Sequence, residues 1–166
     1  MPDILPDAED LLARLAHAIA SELTPETALV GIHTGGAWIA ERLHAQLDIA
    51  QPLGVLDISF YRDDFSRIGL HPQVKPSRIP FQVEDRPLIV VDDVLYTGRT
   101  VRAAMNELFD YGRPASIRLA VLVDRGGREL PICADFAGVR VDLPSDRNLQ
   151  LDRAADGRLS LSQRNP

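Results

Sequence analysis

The stretch from Leu88 to Thr100 limits the choice of fold more than any other part of the chain. Leu88-Ile89-Val90-Val91 is entirely aliphatic, which is typical of a strand covered on both faces of a parallel sheet. Asp92-Asp93 follow directly, and Thr97-Gly98-Arg99-Thr100 then precede a helical pattern. The apolar positions of that pattern, which Gly112 is expected to close, are Val101, Met105, Leu108 and Phe109. A buried strand that runs into a helix predicts an α/β fold.

The rest of the chain repeats this alternation. We expect a helix that Asp7 caps and Pro25 ends, a strand at 28–32 and a second helix after Gly36. Further strands are expected at 56–60, with one covered face, at 117–123 and at 139–141, and a closing hairpin on both sides of Asp156-Gly157. The expected architecture is a single domain over residues 1–166, with a central, mainly parallel sheet flanked by helices. The polar stretch 61–86 lacks a periodicity of its own, which is typical of a functional or mobile loop.

Charge and composition argue against several classes of function. The 166 residues include 18 Lys and Arg against 24 Asp and Glu, and the net charge of −6 argues against non-specific binding to a polyanion. The single cysteine, Cys133, excludes an internal disulfide and a cysteine-based metal site. No apolar run approaches the length of a membrane span, and the N-terminal stretch carries acids where a signal peptide needs bases. We therefore expect a cytoplasmic protein that does not bind membranes.

The acidic pair and the segment after it suit a sugar phosphate. Carboxylates at the carboxyl end of a parallel strand point into the crevice where open α/β sheets bind ligands. Asp92 and Asp93 can accept hydrogen bonds from a vicinal diol or help to hold a hydrated magnesium ion. The hydroxyls, glycine and helix N-terminus of residues 97–100 are the components of a phosphate site. The alternative is that one aspartate only caps the helix and that Thr97-Gly98 is an ordinary turn.

The run from Ile89 to Thr100 resembles the 5-phosphoribosyl-1-pyrophosphate (PRPP) motif of type I phosphoribosyltransferases. The variant from Val94 to Val101 is similar to the PyrR family, whose members are pyrimidine-operon regulators and uracil phosphoribosyltransferases. Two further stretches, 57–64 and 122–132, support the narrower match. The resemblance implies the type I phosphoribosyltransferase fold with a flexible loop and hood, magnesium as the cofactor that accompanies PRPP, and conversion of uracil and PRPP to UMP and diphosphate.

The resemblance also implies roles for individual residues. Asp92 and Asp93 would act in catalysis, hold the ribose hydroxyls and approach the metal through PRPP and water. Arg62, in the flexible loop about 61–86, would reach the pyrophosphate; the alternative is a solvated loop residue. Val123, Asp124 and Arg125 would line the uracil site; the alternative is a turn that holds an ion pair. The remaining PRPP contacts would be Thr34, Gly35, Gly36, Tyr96, Thr97, Gly98, Arg99 and Thr100. Residues 31–36 taken alone also fit a plain strand–helix turn.

The regulatory part of the resemblance is less complete. His17 and Arg128 occupy positions similar to those that contact pyrimidine-operon leader mRNA, although His17 also fits a plain surface position. Ala13 stands where a hydroxyl residue is expected and Cys133 where a cation is expected. Gly35 stands where many relatives carry arginine, which removes one cation from the leaving-group site. The family also implies a homodimer or higher homo-oligomer. A nucleotide-sensing regulator of RNA or protein with little catalysis, and a purine or orotate phosphoribosyltransferase, are the competing hypotheses.

Overall fold

A computed structural model of the chain describes residues 5–58 and 77–164. Three helices, here called α1 to α3, span Ala8–Ala20, Gly35–Gln46 and Arg99–Phe109. The strands β1 to β5 span Ala28–Ile32, Gly54–Leu56, Pro87–Leu95, Ser116–Asp124 and Phe136–Arg140. The strands β6 and β7 span Asn148–Arg153 and Leu159–Arg164. Within these described ranges, no helix has the length and apolar character that a membrane crossing requires.

The five strands β1 to β5 form a parallel sheet in the order β2-β1-β3-β4-β5. The strand order reverses between β1 and β3, since β2 lies on one side of β1 and all later strands lie on the other. In open parallel sheets, ligands bind outside the carboxyl ends of the strands at such a reversal. The strand order alone therefore predicts a ligand site at the carboxyl ends of β1 and β3.

Each face of the sheet packs into its own hydrophobic core. One core joins α1 and α2 to the sheet through residues such as Leu15, Leu43 and Ile89. The other places α3 against the opposite face through residues such as Val90, Ala104 and Val121. Because neighbouring residues of a strand point to opposite faces, Ile89 and Val90 belong to different cores. This explains why the run from Leu88 to Val91 is aliphatic throughout: all four residues are almost completely buried.

The expected α/β architecture and the closing antiparallel hairpin are confirmed, and several boundaries differ. The first helix ends at Ala20 instead of Pro25, because Thr24 and Thr27 form a separate turn in which Thr24 N–H donates to Thr27 Oγ1 over 3.1 Å. The last strand of the sheet is Phe136–Arg140 instead of 139–141. The strand expected at 56–60 ends at Leu56, and Asp57 is buried, so the prediction of one covered face was wrong.

Gly112 does not cap α3 as expected. The helix already closes at Asp110, whose N–H bonds Glu107 O and Leu108 O. Gly112 has a φ of 144° and passes close to Glu84, whose backbone nitrogen would lie 3.1 Å from a β-carbon at this position. The glycine therefore permits a close approach between two segments. Phe109, the last apolar position of the helical pattern, is 54% exposed.

Candidate functional site

The acidic pair lies where β3 separates from β1. The pairing of these strands ends at Gly31 and Val91, whereas β3 remains paired with β4 as far as Leu95 and Asp124. The acids were expected at the carboxyl end of the strand, but β3 continues two residues beyond Asp93, as far as Leu95. Past the acids, β3 is paired on one side only, which is the position where open parallel sheets bind ligands.

The two carboxylates are held by local hydrogen bonds. Asp93 N–H donates to Asp92 Oδ1 over 2.8 Å, and Val94 N–H donates to Asp93 Oδ1 over 2.7 Å. Asp92 is 6% exposed, while Asp93 is half-buried. A side chain that accepts an N–H bond from the next residue has few alternative rotamers, so both acids are oriented before a ligand arrives.

The first turn of α2 lies directly against this pair. A β-carbon at Gly35 would lie 2.8 Å from the Asp93 carboxylate carbon, and one at Gly36 would lie 2.9 Å from Asp92 Cα. Glycine is therefore required at both positions for the present arrangement. The sequence-predicted loop residues Thr34, Gly35 and Gly36 are thus brought to the acids, although the two glycines belong to the helix and not to a preceding loop.

The N-terminus of α2 is suited to an anion. Thr34 is its N-cap residue, and within the described part of the chain its side chain makes no capping hydrogen bond. The first turn carries no acidic residue to offset the positive end of the helix dipole. The peptide bond between His33 and Thr34 is cis. Backbone N–H groups at such a helix start can bind phosphate oxygens.

The segment from Tyr96 to Thr100, called the phosphate loop below, leads from β3 into a second helix N-terminus. Gly98 is the N-cap of α3 and has a φ of 94°, a conformation that favours glycine. Thr97 Oγ1 accepts the Arg99 N–H over 3.3 Å. The loop therefore combines a hydroxyl and a helix start, as the sequence predicts.

Residues 124–132, called the backing segment below, pack against the phosphate loop and form hydrogen bonds with it. Thr97 O accepts the N–H groups of Glu129 over 3.0 Å and Leu130 over 3.1 Å. Arg99 Nε lies 3.2 Å from Glu129 Oε1. Sequence reasoning missed this support, because it joins residues about thirty positions apart along the chain and no local pattern indicates it.

The residues expected at a uracil site form a buried cluster in the backing segment. Val123, Asp124 and Arg125 are 1%, 6% and 3% exposed. The Arg125 guanidinium donates to the carbonyl oxygens of Arg147 and, over 2.9 Å, of Pro144. It also lies 4.0 Å from the centre of the Tyr96 ring. The Arg125 side chain is thus engaged in packing against the phosphate loop.

Asp124 is the acceptor at the centre of this cluster. Its two oxygens accept from Arg128 Nη2 at 2.7 and 2.8 Å, and Arg140 Nη1 lies 2.9 Å away. Burial by itself raises the pKa of Asp124, but the hydrogen bonds from Arg128 and the Gly126 N–H, with the charges of both arginines, hold the pKa below its usual range. The ion pair considered as the alternative for this turn is therefore present.

Two further predicted residues are Arg62, proposed for the pyrophosphate, and His17, proposed for RNA contact. Arg62 lies outside the described residues. His17 is exposed on α1, next to exposed Arg14 along the same helix face. In residues 5–58 and 77–164, no group of three or more His, Cys, Asp or Glu is placed to hold a metal ion.

Known proteins are similar to this chain over most of its length. Residues 3–147 match the phosphoribosyl transferase domain family. The chain is 59% identical over 144 residues to a Bifunctional protein PyrR of Nitrosococcus oceani, which covers 86% of this chain and 81% of that protein. It is 51% identical over 151 residues to the Bifunctional protein PyrR of Pseudomonas aeruginosa, which covers 89% of each.

Solved structures share the fold. A hypoxanthine-guanine phosphoribosyltransferase of Bacillus anthracis aligns with a TM-score of 0.67 over 85% of both chains, at 18% identity. A purine phosphoribosyltransferase of Pyrococcus horikoshii aligns with a TM-score of 0.61 and 25% identity over 81% of this chain and 83% of that one. The first of these likenesses bears on the fold alone.

Proposed function

Because the chain belongs to the phosphoribosyl transferase domain family and, within it, to the PyrR proteins, we propose that it transfers the 5-phosphoribosyl group of PRPP to uracil, with UMP and diphosphate as products. One observation carries the proposal. Two neighbouring strands, β1 and β3, deliver two helix N-termini and an acidic pair to the same crevice. A ligand with a diol between two anionic groups fits such a crevice.

The parts of PRPP are assigned by their chemistry. Asp92 and Asp93 accept hydrogen bonds from the two ribose hydroxyls, since an ionised carboxylate only accepts. The phosphate loop binds the 5-phosphate through its hydroxyls and the backbone N–H groups at the start of α3. The start of α2 at Thr34, Gly35 and Gly36 binds the diphosphate. Tyr96 holds its place in the loop through the stacked Arg125.

The reaction requires positioned charge and no covalent nucleophile. The bond between ribose C1 and the diphosphate oxygen breaks, and a bond forms between C1 and the uracil nitrogen, which loses its proton. Donors at the α2 N-terminus are placed to stabilise the negative charge on the departing diphosphate. Magnesium that accompanies PRPP would neutralise part of the same charge. Asp92 and Asp93 would interact with this ion only through the ribose hydroxyls and metal-bound water.

Uracil would lie beside the backing segment, where residues 123–125 begin the turn. Both Asp124 oxygens already accept from arginines, and the N–H groups of Arg125 and Gly126 donate to Leu95 O and Asp124 Oδ1. Recognition of the base is therefore assigned to other backbone N–H and carbonyl groups of this turn. Arg62 is proposed to approach the diphosphate when the loop about 61–86 closes over PRPP. Such closure would exclude water from the reactive sugar.

The regulatory function proposed for the chain is UMP-responsive binding to pyrimidine-operon leader mRNA. His17 and Arg14 are exposed and could contact phosphates, whereas the Arg128 guanidinium is bonded inside the protein. The proposed assembly is a homodimer or a higher homo-oligomer, in which α1 of two subunits would extend the basic face. A gel shift with leader RNA, with and without UMP and across a salt series, compares the wild type with His17→Ala.

The catalytic proposal is tested by incubation of the protein with labelled uracil, PRPP and magnesium, followed by separation of UMP. The same assay is run with hypoxanthine, guanine and orotate. UMP formation with little product from the other bases is expected. Product from hypoxanthine and none from uracil would contradict the substrate assignment. PRPP binding without any product would favour a regulator that lacks catalysis.

A further inference from the structure

Arg128 joins three separate parts of the chain with one side chain. Its Nη1 donates to Tyr96 O in the phosphate loop over 2.7 Å. Its Nη2 donates to both oxygens of Asp124 at the end of β4, and its Nε donates to Ile132 O over 2.8 Å. All three guanidinium nitrogens thus have partners inside the protein, and the side chain is 23% exposed.

The contacts of Arg128 belong to a larger connection between the phosphate loop and the backing segment. Arg125 N–H donates to Leu95 O over 3.1 Å, immediately before the loop. A β-carbon at Gly127 would lie 3.1 Å from Tyr96 Cδ2, so the backing segment packs directly on the ring. Of these contacts, the hydrogen bonds of Arg128 link the Tyr96 carbonyl to the buried carboxylate of Asp124.

We propose that Arg128 is a positioning residue that fixes the phosphate loop to the backing segment, so that PRPP meets a loop already in its binding conformation. This inference rests on the proposed function, because it assigns the 5-phosphate to that loop. It also gives Arg128 a role separate from RNA contact, because the internal hydrogen bonds use at most four of the five N–H donors of the guanidinium.

The geometry explains why arginine is needed at position 128. A guanidinium is planar and carries five N–H donors directed along fixed lines, whereas an ammonium is a compact point charge. Lysine at this position would keep the attraction to Asp124. It could not donate to Asp124, Tyr96 O and Ile132 O together. Arg128→Lys therefore keeps the positive charge but removes the simultaneous hydrogen bonds to the three acceptors.

Arg140 supplies a matched control. It also forms an ion pair with Asp124, at 2.9 Å, and it donates to Ala134 O; neither of these two hydrogen bonds reaches the phosphate loop. Its side chain is 54% exposed. Arg140→Gln removes one cation from Asp124 and leaves the Tyr96 carbonyl bonded.

The experiment measures PRPP affinity by calorimetry, with magnesium and without uracil, so that no turnover is needed. Loss of a hydrogen bond to a charged group typically weakens binding that depends on it by roughly tenfold or more. We expect Arg128→Lys to bind PRPP at least about tenfold more weakly, and Arg140→Gln to stay within about twofold of the wild type. Equal affinities of Arg128→Lys and wild type, or equal losses in both variants, would overturn the proposal.

A second measurement tests the loop directly by amide hydrogen exchange. The Glu129 and Leu130 N–H groups, which donate to Thr97 O, should exchange faster in Arg128→Lys than in Arg140→Gln. In the wild type, PRPP should slow exchange at these two amides. This measurement does not depend on the folding of Arg128→Lys, and unchanged exchange would overturn the proposal. If the wild type binds PRPP but forms no UMP, the proposed catalysis fails while this inference still stands on affinity and exchange.

Discussion

Replacement of Gly35 by alanine is expected to weaken PRPP binding without loss of the fold. A β-carbon there would lie 2.8 Å from the carboxylate carbon of Asp93, so the Asp93 side chain must turn away. That movement breaks the 2.7 Å hydrogen bond from Val94 N–H to Asp93 Oδ1 and displaces a carboxylate proposed to hold the ribose. A hydrogen bond to a charged group contributes about 1.5–3 kcal/mol, which corresponds to roughly 10- to 150-fold in affinity.

The stability of the Gly35→Ala variant should fall less than that of Gly36→Ala, because the helical preference of alanine offsets part of the lost hydrogen bond to Asp93. Gly35 is the first residue of α2, and alanine is favoured over glycine by up to about 1 kcal/mol inside a helix. The contrast is Gly36→Ala, whose β-carbon would lie 2.9 Å from backbone atom Asp92 Cα. Backbone cannot turn away as a side chain can, so Gly36→Ala should lower the melting temperature as well as PRPP affinity.

The assay combines thermal melting with calorimetric titration of PRPP and separate KM values for PRPP and uracil. Gly35→Arg is included because many relatives are expected to carry arginine there. Its β-carbon displaces Asp93 in the same way, so the added cation should not restore wild-type affinity in this chain. Wild-type PRPP affinity in Gly35→Ala, or tighter binding by Gly35→Arg, would refute the reasoning.

Three further predictions concern the side chains of Arg125 and Asp124 and the contact of Glu9 in α1 with the β6–β7 hairpin. Arg125→Met removes two hydrogen bonds to carbonyls and the stacking on Tyr96, and should lower the free energy of unfolding in urea by about 2–3 kcal/mol; a change below about 0.5 kcal/mol would contradict this. The pKa of Asp124 is lowered in the folded state, so its stabilisation is present above the ordinary aspartate value of about 4 and is lost as the pH falls through the folded pKa. Wild-type stability should therefore fall more steeply with acid than that of Asp124→Asn, and parallel curves would contradict the assignment. Glu9 accepts the Leu159 N–H over 3.0 Å, so Glu9→Gln should speed exchange of that amide and cost about 1 kcal/mol, whereas unchanged exchange would show that this bond does not anchor the hairpin.

The unit from Leu88 to Thr100 could be predicted because its signals are local. An aliphatic run has to be covered on both faces, and a glycine before a helical pattern fits the left-handed conformation that Gly98 adopts. The position of the two acids within the strand could be predicted only in part. The continuation of β3 beyond the acids to Leu95 depends on pairing with β4, which lies more than twenty residues further along the chain.

The contacts that organise the site could not be predicted from local patterns. The approach of Gly35 to Asp93 depends on how α2 packs over β3, and the support of Thr97 by Glu129 depends on the path of the chain after β4. The sequence shows Arg128 as a cation in a polar turn, which suggests a surface role. Only the fold shows that Asp124, Tyr96 O and Ile132 O surround its guanidinium.

The claim on which the account depends is that the acidic pair of β3 holds the ribose of PRPP. It is tested most directly by calorimetric titration of PRPP and magnesium into the wild type and into the double variant Asp92→Asn with Asp93→Asn, after melting curves show that both are folded. Loss of two carboxylate acceptors should weaken binding by at least about a hundredfold. Affinity within about twofold of the wild type would contradict the placement of the sugar at this strand.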